Sequence, residues 1–557
     1  MFFYALSSAR FGCGVSVTLA MLAAPGMAAA QAQTQAPATT AAPAKFMIAA
    51  IDVSGVTILR QSVIEQIIYP FMGPDRSTDD VEAARKAVQD AYAKQGYESV
   101  QVDIPPQPAQ TFAQGIVQLR VTEAAVGSVK VTGSKHHSSE VVREQMASIE
   151  PGKPLNLKTL QSDLADANRY PDREVSPSFM PGKDPGTIDV ELKVKDKLPF
   201  HGSAEINNDH SPSTRPLRYI GSLRYTDLWR IGHTISASYI VAPQDRKQTE
   251  VFSGAYNAPI LGTPWTLVLY GYTSNSDIAA LGGSNVLGDG YQIGLRAMYR
   301  LPSEKTYQSV SFGLDYKNFK QNIFVAGQQA ARAPIEYIPL SVSYSFSSAG
   351  EKSTTDITLS STAGLRAFKK RICLFDSDPD ATPETCDIFD QFTIKETDSK
   401  ENFYHFNLDA SYTRSWPHDF VTAHRISAQI ADTHLVTNEQ FSAGGLTSVR
   451  GYLQSEAVGD NGITGSLEWR FPSIAPLLPS FVDELRVFGF VDAARVHVLR
   501  PAPEQTSNFK LLSIGGGARI RLIDKISGEL SVGLPLVDGP TSKSGDLRTL
   551  FTAKGEF

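Results

Sequence analysis

Arg450 is the residue of this 557-residue chain whose setting most suggests a task. It stands in Leu446–Asp460, LTSVRGYLQSEAVGD, after a β-branched residue, before Gly451 and close to the aromatic Tyr452. A guanidinium keeps its charge at any physiological pH, and its planar fork of donors matches a carboxylate. The stretch Val487–Arg495, VFGFVDAAR, supplies one. Read as a strand, it sends Leu485, Val487, Gly489 and Val491 to one face and Arg486, Phe488, Phe490 and Asp492 to the other. The first set suits lipid, which places Asp492 in an enclosed interior. An unpaired buried charge costs several kcal/mol, so the expected chemistry is electrostatic: an Arg450–Asp492 pair pins a loop inside a barrel, with Gly451, Tyr452 and Phe490 beside it. The plainer alternative is an exposed Arg-Gly turn and a solvated carboxylate.

Little else in the chain is spaced for chemistry. His405, His418 and His424 are scattered with no serine motif beside them, so no Ser-His-Asp hydrolase is expected. Residues 46–195 contain no GxGxxG after a strand, no P-loop, no HExxH and no GxSxG. His136-His137 falls in a polar turn and is not read as a metal site. Cys373 and Cys386 are the cysteines left after Cys13, and an oxidising compartment lets them pair. Their disulfide closes a loop of about fourteen residues, worth roughly 3 kcal/mol in the chain-entropy account. Inside and beside it, Asp376, Asp378, Asp380, Glu384 and Asp387 fall at positions 1, 3, 5, 9 and 12 of an EF-hand spacing. Ala381 replaces the needed glycine, Asp387 is shorter than the usual bidentate glutamate, and no flanking helices are evident, so the loop reads as solvated. Neither a metal nor a cofactor is expected, and no residue is assigned a catalytic role.

The elements that position Arg450 begin after an export signal. A weakly basic start ends at Arg10, an apolar run covers Gly14–Ala24, Pro25-Gly26 breaks it, and Ala28-Ala29-Ala30 precedes Gln31. Residues 1–30 are therefore read as a signal peptide; Arg10-Phe11-Gly12 before Cys13 makes a poor acylation site, so no lipid anchor is expected. Residues 31–45, rich in Ala, Pro, Thr and Gln, read as a disordered lead. No later window holds the 18 or more consecutive apolar residues of a membrane helix, so a membrane crossing requires a closed barrel. The net charge of −6, one more negative once Arg10 is removed, leaves no electrostatic footprint for nucleic acid.

Residues 46–124 read as strand, helix, helix, strand, strand. Phe46–Val53 is apolar-rich, Gln61–Phe71 a short helix, and Ser77 caps a second with Val81, Ala84, Val88, Ala91 and Tyr92 at helical spacing. Val100, Val102 and Ile104 alternate, as do Val117, Leu119 and Val121. Residues 125–195 repeat the order: strand Val126–Thr132, helices Ser139–Ala147 and Leu157–Asn168, then strands near Ser176–Met180 and over Thr187–Val194. A three-stranded sheet with helices on one face leaves an open edge that accepts an extended peptide by strand addition. From 196 to 557 the pattern becomes alternating segments of about ten residues separated by turns, the signature of a transmembrane β-barrel. About sixteen such segments can be counted, among them Tyr291–Leu301, Ile463–Phe471 and a last one closing on Phe557. The fold class is thus α+β repeats followed by an all-β barrel of about 16 antiparallel strands. Such a barrel is too wide for its own side chains to fill, and the Arg450 loop is the candidate to occupy it.

The chain resembles the two-partner secretion transporters of the haemolysin secretion/activation type, within the superfamily of outer-membrane proteins with POTRA domains and a barrel. Val449-Arg450-Gly451-Tyr452 matches the family's VRG-aromatic loop motif and Phe490-Val491-Asp492 its F-x-D strand motif. Gly96-Tyr97, Pro105-Pro106-Gln107, and Asn168 with Pro181-Gly182 add to the likeness. Ala494 departs from the glycine that usually ends the strand motif, and Pro37 and Pro43 argue against the N-terminal plug helix that members often carry. The resemblance implies two periplasmic POTRA domains and an outer-membrane pore that passes an unfolded, secreted partner protein. Arg450, Gly451, Tyr452, Phe490 and Asp492 would anchor and gate its loop. Outer-membrane lipid and the barrel assembly machinery, through the C-terminal strand ending at Phe557, are the other implied partners. The alternative within the superfamily is an assembly factor that inserts other barrels, and two modules instead of three or more favour export. A plugged receptor or diffusion porin is a further alternative.

Overall fold

The structure, a computed structural model, describes residues 45–168, 172–212, 214–281, 284–303, 306–325, 328–366, 371–373, 388–396, 398–501 and 505–557. The expected signal peptide, all but the last residue of the lead, Cys386 and the acidic spacing from Asp376 to Asp387 lie outside these residues, so the disulfide and the calcium-like spacing do too.

In the first module, strand Ala50–Ser54 runs parallel to Ile116–Thr122, which pairs antiparallel with Gln101–Asp103. Helices Gln61–Ile68 and Thr78–Lys94 cover one face, and their Ile64, Ile68, Val88 and Tyr92 share a core with Val102, Val117 and Leu119. The longer helix starts where Ser77 suggests: Ser77 and Asp80 form a reciprocal capping box. It stops at Gly96, whose φ of +92° suits glycine, and whose carbonyl accepts a hydrogen bond from Leu157 N at 2.8 Å. Pro105-Pro106-Gln107 also has a physical purpose. The Gln107 amide donates to the Gln118 carbonyl (3.0 Å) and accepts from Gln118 N–H (2.8 Å), continuing the ladder where the chain itself has turned away. Glu123 ties the last strand to the loop before the first helix, accepting from Thr57 N (2.9 Å), Ile58 N (3.1 Å) and Tyr92 OH (2.6 Å). Burial pushes its carboxyl up, but these donors together with the Thr57 hydroxyl outweigh burial and hold it below the usual glutamate range. Two short elements escape the sequence pattern: strand Gly73–Arg76, paired with Phe46–Ile48, and helix Ala109–Ala113.

The second module repeats the plan with a sheet ordered Ala125–Thr132, Thr187–Asp196, Arg173–Pro181 and helices Ser139–Glu144 and Leu157–Ala167. Its Val131–Gln145 and Asp166–Val175 group with the barrel in one compact unit. Within that unit the histidine pair finds its use: the backbone N–H groups of His136 and His137 donate to Asp196, and His137 Nδ1 lies 2.8 Å from Asp227 Oδ2.

Sixteen strands close a barrel among the described residues, from Phe200–Asn207 to Arg548–Glu556, each antiparallel to its neighbours. The seam between first and last strand is completed by Phe557, whose N–H and carbonyl both bond Gly202, at 3.0 and 3.1 Å. Alternation governs the wall: Val487 is 53% exposed on the lipid side while Phe488 is 2% exposed in the lumen. Four strands run longer than the alternating segments indicate, Trp265–Leu281, Ser284–Leu301, Thr306–Val325 and Gln328–Ala349. The extension at Thr273-Ser274-Asn275 carries no apolar face for lipid, whereas those beyond Tyr316 and before Ile338 bury Phe319, Ile335 and Tyr337 in one cluster with Leu435 and Val436.

Candidate functional site

The site is the loop between strands Val421–Ala431 and Asn461–Arg470, folded back into the lumen. A two-stranded ribbon, Phe441–Ala443 against Ala457–Gly459, carries its tip. Gly444 and Gly445, at φ +116° and +94°, turn the chain, and Ser448 Oγ accepts from Gly444 N–H at 2.7 Å. Val449 and Tyr452 are then buried with Ala443, Ala457, Val496 and Leu511. Ala494 belongs to the same cluster, so its methyl packs under the loop at the position where the strand motif usually has glycine.

This packing delivers Arg450 to a carboxylate floor. Its Nε lies 2.8 Å from Asp492 Oδ2, Nη2 3.0 Å from Oδ1, and its backbone N–H donates to Oδ2 at 3.0 Å. Nη1 reaches Glu468 Oε2 at 2.5 Å, and Nη2 donates to Ser466 Oγ at 3.2 Å, while Ser466 Oγ donates to Asp492 Oδ1 at 2.6 Å. Phe490 is the face on which the guanidinium lies, 3.7 Å from its ring centroid. Glu468 is shared with Arg519 and Arg470, each at 2.8 Å from Oε1, and Arg519 also pairs with Glu529 at 2.6 Å. Arg450 is 5% exposed and Asp492 0%, so neither charge is left to water, and every donor of the fork but one has a named acceptor.

Glycines set the depth at which the loop sits. A Cβ on Gly533 would lie 2.7 Å from Gly451 N, and one on Gly515 would lie 2.4 Å from the Phe490 ring. Gly451 itself has φ +99°. Tyr452 secures the other side, its hydroxyl donating to the Val537 carbonyl at 2.6 Å and accepting from Leu512 N–H at 3.2 Å. Near the loop's end, Glu456 accepts from Thr541 N (2.9 Å) and Ser542 N (2.6 Å).

Arg450, Gly451, Tyr452, Phe490 and Asp492 are therefore brought together. Sequence reasoning missed Ser466, Glu468 and Arg519. The signal was present: assigning Leu467 and Trp469 to lipid leaves Ser466 and Glu468 on the lumen face, directly beside Asp492 and Phe490 in the ladder. Nothing in the spacing of Gly515 and Gly533 identified what would lie over them.

A family model described as haemolysin secretion/activation protein ShlB/FhaC/HecB matches residues 186–520, and one for the ShlB-type POTRA domain matches 46–124. The outer membrane transporter CdiB of Escherichia coli O6:K15:H31 (strain 536 / UPEC) is 22% identical over 515 residues, 88% of this chain and 79% of that protein. The heme/hemopexin transporter protein HuxB of Haemophilus influenzae (strain ATCC 51907 / DSM 11121 / KW20 / Rd) is 20% identical over 483 residues, 85% of this chain and 80% of its own. In fold, the chain is similar to the solved CdiB from Escherichia coli, with a TM-score of 0.67 at 18% identity, covering 94% of this chain and 93% of that one. The chain belongs to the haemolysin secretion/activation family, ShlB/FhaC/HecB, of outer-membrane two-partner secretion transporters, with its POTRA domains in the periplasm.

Proposed function

We propose that this protein exports one unfolded partner protein from the periplasm through its barrel, and that Arg450 and Asp492 hold the lumen loop in the position from which export starts. The observation that carries the reading is the burial of the Arg450 guanidinium against two wall strands, with four of its five side-chain N–H donors bonded to Asp492, Glu468 and Ser466. A buried ion pair is weak as a source of stability and strong as a determinant of position, because only one loop register satisfies both partners. Arg450 and Asp492 touch no reacting atoms in this scheme; they position.

The client is held by strand addition. In the first module one of the two edge strands, Gln101–Asp103, has its Val102 carbonyl taken by Arg85 Nη1 at 3.1 Å. The second module ends its sheet on Arg173–Pro181, with Phe179 and Met180 exposed, and this edge suits an extended apolar segment. Folding of the client outside the cell supplies direction without nucleotide hydrolysis. The relatives bear the names of a transporter and a heme/hemopexin transporter, and a large secreted protein is the class of client that follows for this chain.

The test is secretion by Arg450→Ala, with the client scored in the medium and heat-modifiable migration used to verify the barrel. Loss of secretion from an intact barrel is expected; undiminished secretion would overturn the role given to the loop. An assembly factor would instead lower the amounts of other outer-membrane barrels, which the same membranes report.

A further inference from the structure

The lumen loop touches the wall at a second place, well removed from Arg450. Glu439, in the short turn Thr437–Glu439 at the start of the loop, is 7% exposed. Its Oε1 accepts from Tyr337 OH at 2.5 Å and lies 2.5 Å from Lys317 Nζ, and its Oε2 lies 3.5 Å from His405 Nε2. The three partners come from strands Thr306–Val325, Gln328–Ala349 and Tyr404–Ser415, which are the seventh, eighth and tenth of the barrel counted from Phe200–Asn207. Arg450 is held by the twelfth and thirteenth, Asn461–Arg470 and Val482–His497. The two sets share no strand.

The surroundings of Glu439 are built as carefully as those of Arg450. Leu435 and Val436, just before it, are buried with Tyr337, Phe392 and Phe403. Phe392 belongs to the helix Gln391–Lys395, in the connection between wall strands Ser353–Leu365 and Tyr404–Ser415, and that helix is clamped to the wall by Gln391, whose amide accepts from Glu336 N–H (3.0 Å) and donates to the Glu336 carbonyl (2.7 Å). Gln429 Nε2 donates to the Glu439 carbonyl at 3.0 Å, so backbone and side chain are both fixed.

We propose that Glu439 is a second positioning residue of the lumen loop, independent of Arg450, and that the passage widens by release of the loop's entering arm at Glu439 while Arg450 still holds the tip. The proposal rests on the export reading above. The loop springs from the paired strands Val421–Ala431 and Asn461–Arg470, yet its wall contacts run from Lys317 on the seventh strand to Gly533 on the fifteenth, so it crosses the lumen as a strap, and a client passes where the strap leaves the wall. The two moorings differ in strength. Arg450 is locked by two carboxylates, its own backbone and the Gly451–Gly533 approach. The side chain of Glu439 offers one carboxylate to three wall partners, the arm's further bonds being those of Gln429 to the Glu439 carbonyl (3.0 Å) and of His434 and Leu435 to Asp460 (2.8 Å each) within the loop, and substitution of Glu439 removes the charge that Lys317 and His405 face.

Hydrogen exchange on the full-length protein in lipid nanodiscs separates the moorings. Glu439→Gln is expected to raise exchange of amides 437–440 by at least about tenfold, the factor given by 1.4 kcal/mol, and to leave amides 449–453 at the unsubstituted rate. Arg450→Ala is expected to do the reverse. Planar-bilayer recordings of Glu439→Gln should show a larger mean conductance, which a merely structural loss of packing at the arm would not require. Tyr337→Phe, which removes a single hydroxyl, should move the same amides by a smaller factor and covers the case in which Glu439→Gln fails to assemble. Unchanged arm exchange in these variants, or simultaneous release of arm and tip, would overturn independence; a freed arm with unchanged conductance would overturn the widening. Failure of the export reading is scored separately, by undiminished secretion from Arg450→Ala.

Discussion

Asp492→Asn probes the Arg450 mooring with the least change of shape. Asp492 accepts four hydrogen bonds: from Arg450 N (3.0 Å), Nε (2.8 Å) and Nη2 (3.0 Å), and from Ser466 Oγ (2.6 Å). An asparagine keeps one acceptor oxygen and replaces the other with an NH2 group, so whichever way the amide is turned, donors face donors. Breaking a buried ion pair from one side costs about 3–5 kcal/mol. Glu468 remains 2.5 Å from Nη1 and still compensates the guanidinium, which places this case at the low end. A loss of about 3 kcal/mol corresponds to roughly a hundredfold increase in loop opening. Hydrogen exchange of amides 449–452 in the full-length protein reads that opening directly, with heat-modifiable migration as the check on the barrel. Adding Glu468→Gln should cost more than the sum of the two single changes, because only the double variant leaves the guanidinium bare. Exchange in Asp492→Asn within about threefold of the unsubstituted protein, below 1 kcal/mol, would refute the claim that this pair holds the loop.

Gly533→Ala should reproduce the secretion defect expected of Arg450→Ala, since its Cβ would meet Gly451 N at 2.7 Å and backbone cannot yield as a side-chain tip can. Gly221→Ala, where nothing lies within 4 Å of the added carbon, should secrete normally, and equal behaviour of the two would show that loop depth is unimportant. In the first module, the lowered Glu123 carboxyl makes local stability pH-dependent in a stated direction. Its contribution is complete above the ordinary glutamate range near 4.5 and is lost as pH falls through the lower folded value. Exchange of the Thr57 and Ile58 amides, corrected for intrinsic rates, should therefore stay level down to about pH 4.5 and rise below it. Glu123→Gln should abolish that rise; a rise that survives the substitution would assign it to another group.

What could be read in advance follows from which surroundings impose a rule on the sequence. Lipid imposes one: each wall residue faces either hydrocarbon or lumen, so Leu485, Val487 and Val491 betray the orientation of Asp492 even though Asp492 has no motif of its own. The same rule located the strands within the hydrocarbon and lost them beyond it, as at Thr273–Ser276, where pairing continues without alternation. Arg450 was legible because a charge inside a barrel must meet its opposite, and parity left few candidates. Glu468 obeyed that rule equally and was overlooked only because one carboxylate already satisfied the argument.

Loop-to-wall packing follows no period, and there sequence reading stopped. Gly533 is an ordinary small wall residue until Gly451 lies across it, from a loop separated by two intervening wall strands. Glu439 is harder still. Lys317, Tyr337 and His405 approach it from three strands, each with its own spacing, and the loop segment that bears it repeats nothing. A wall must be regular to sit in lipid, whereas a strap across the lumen need only fit one wall in one place. The lumen loop of such a pore is therefore the part its sequence specifies least locally, and its moorings must be sought among buried charges whose partners lie far apart along the chain.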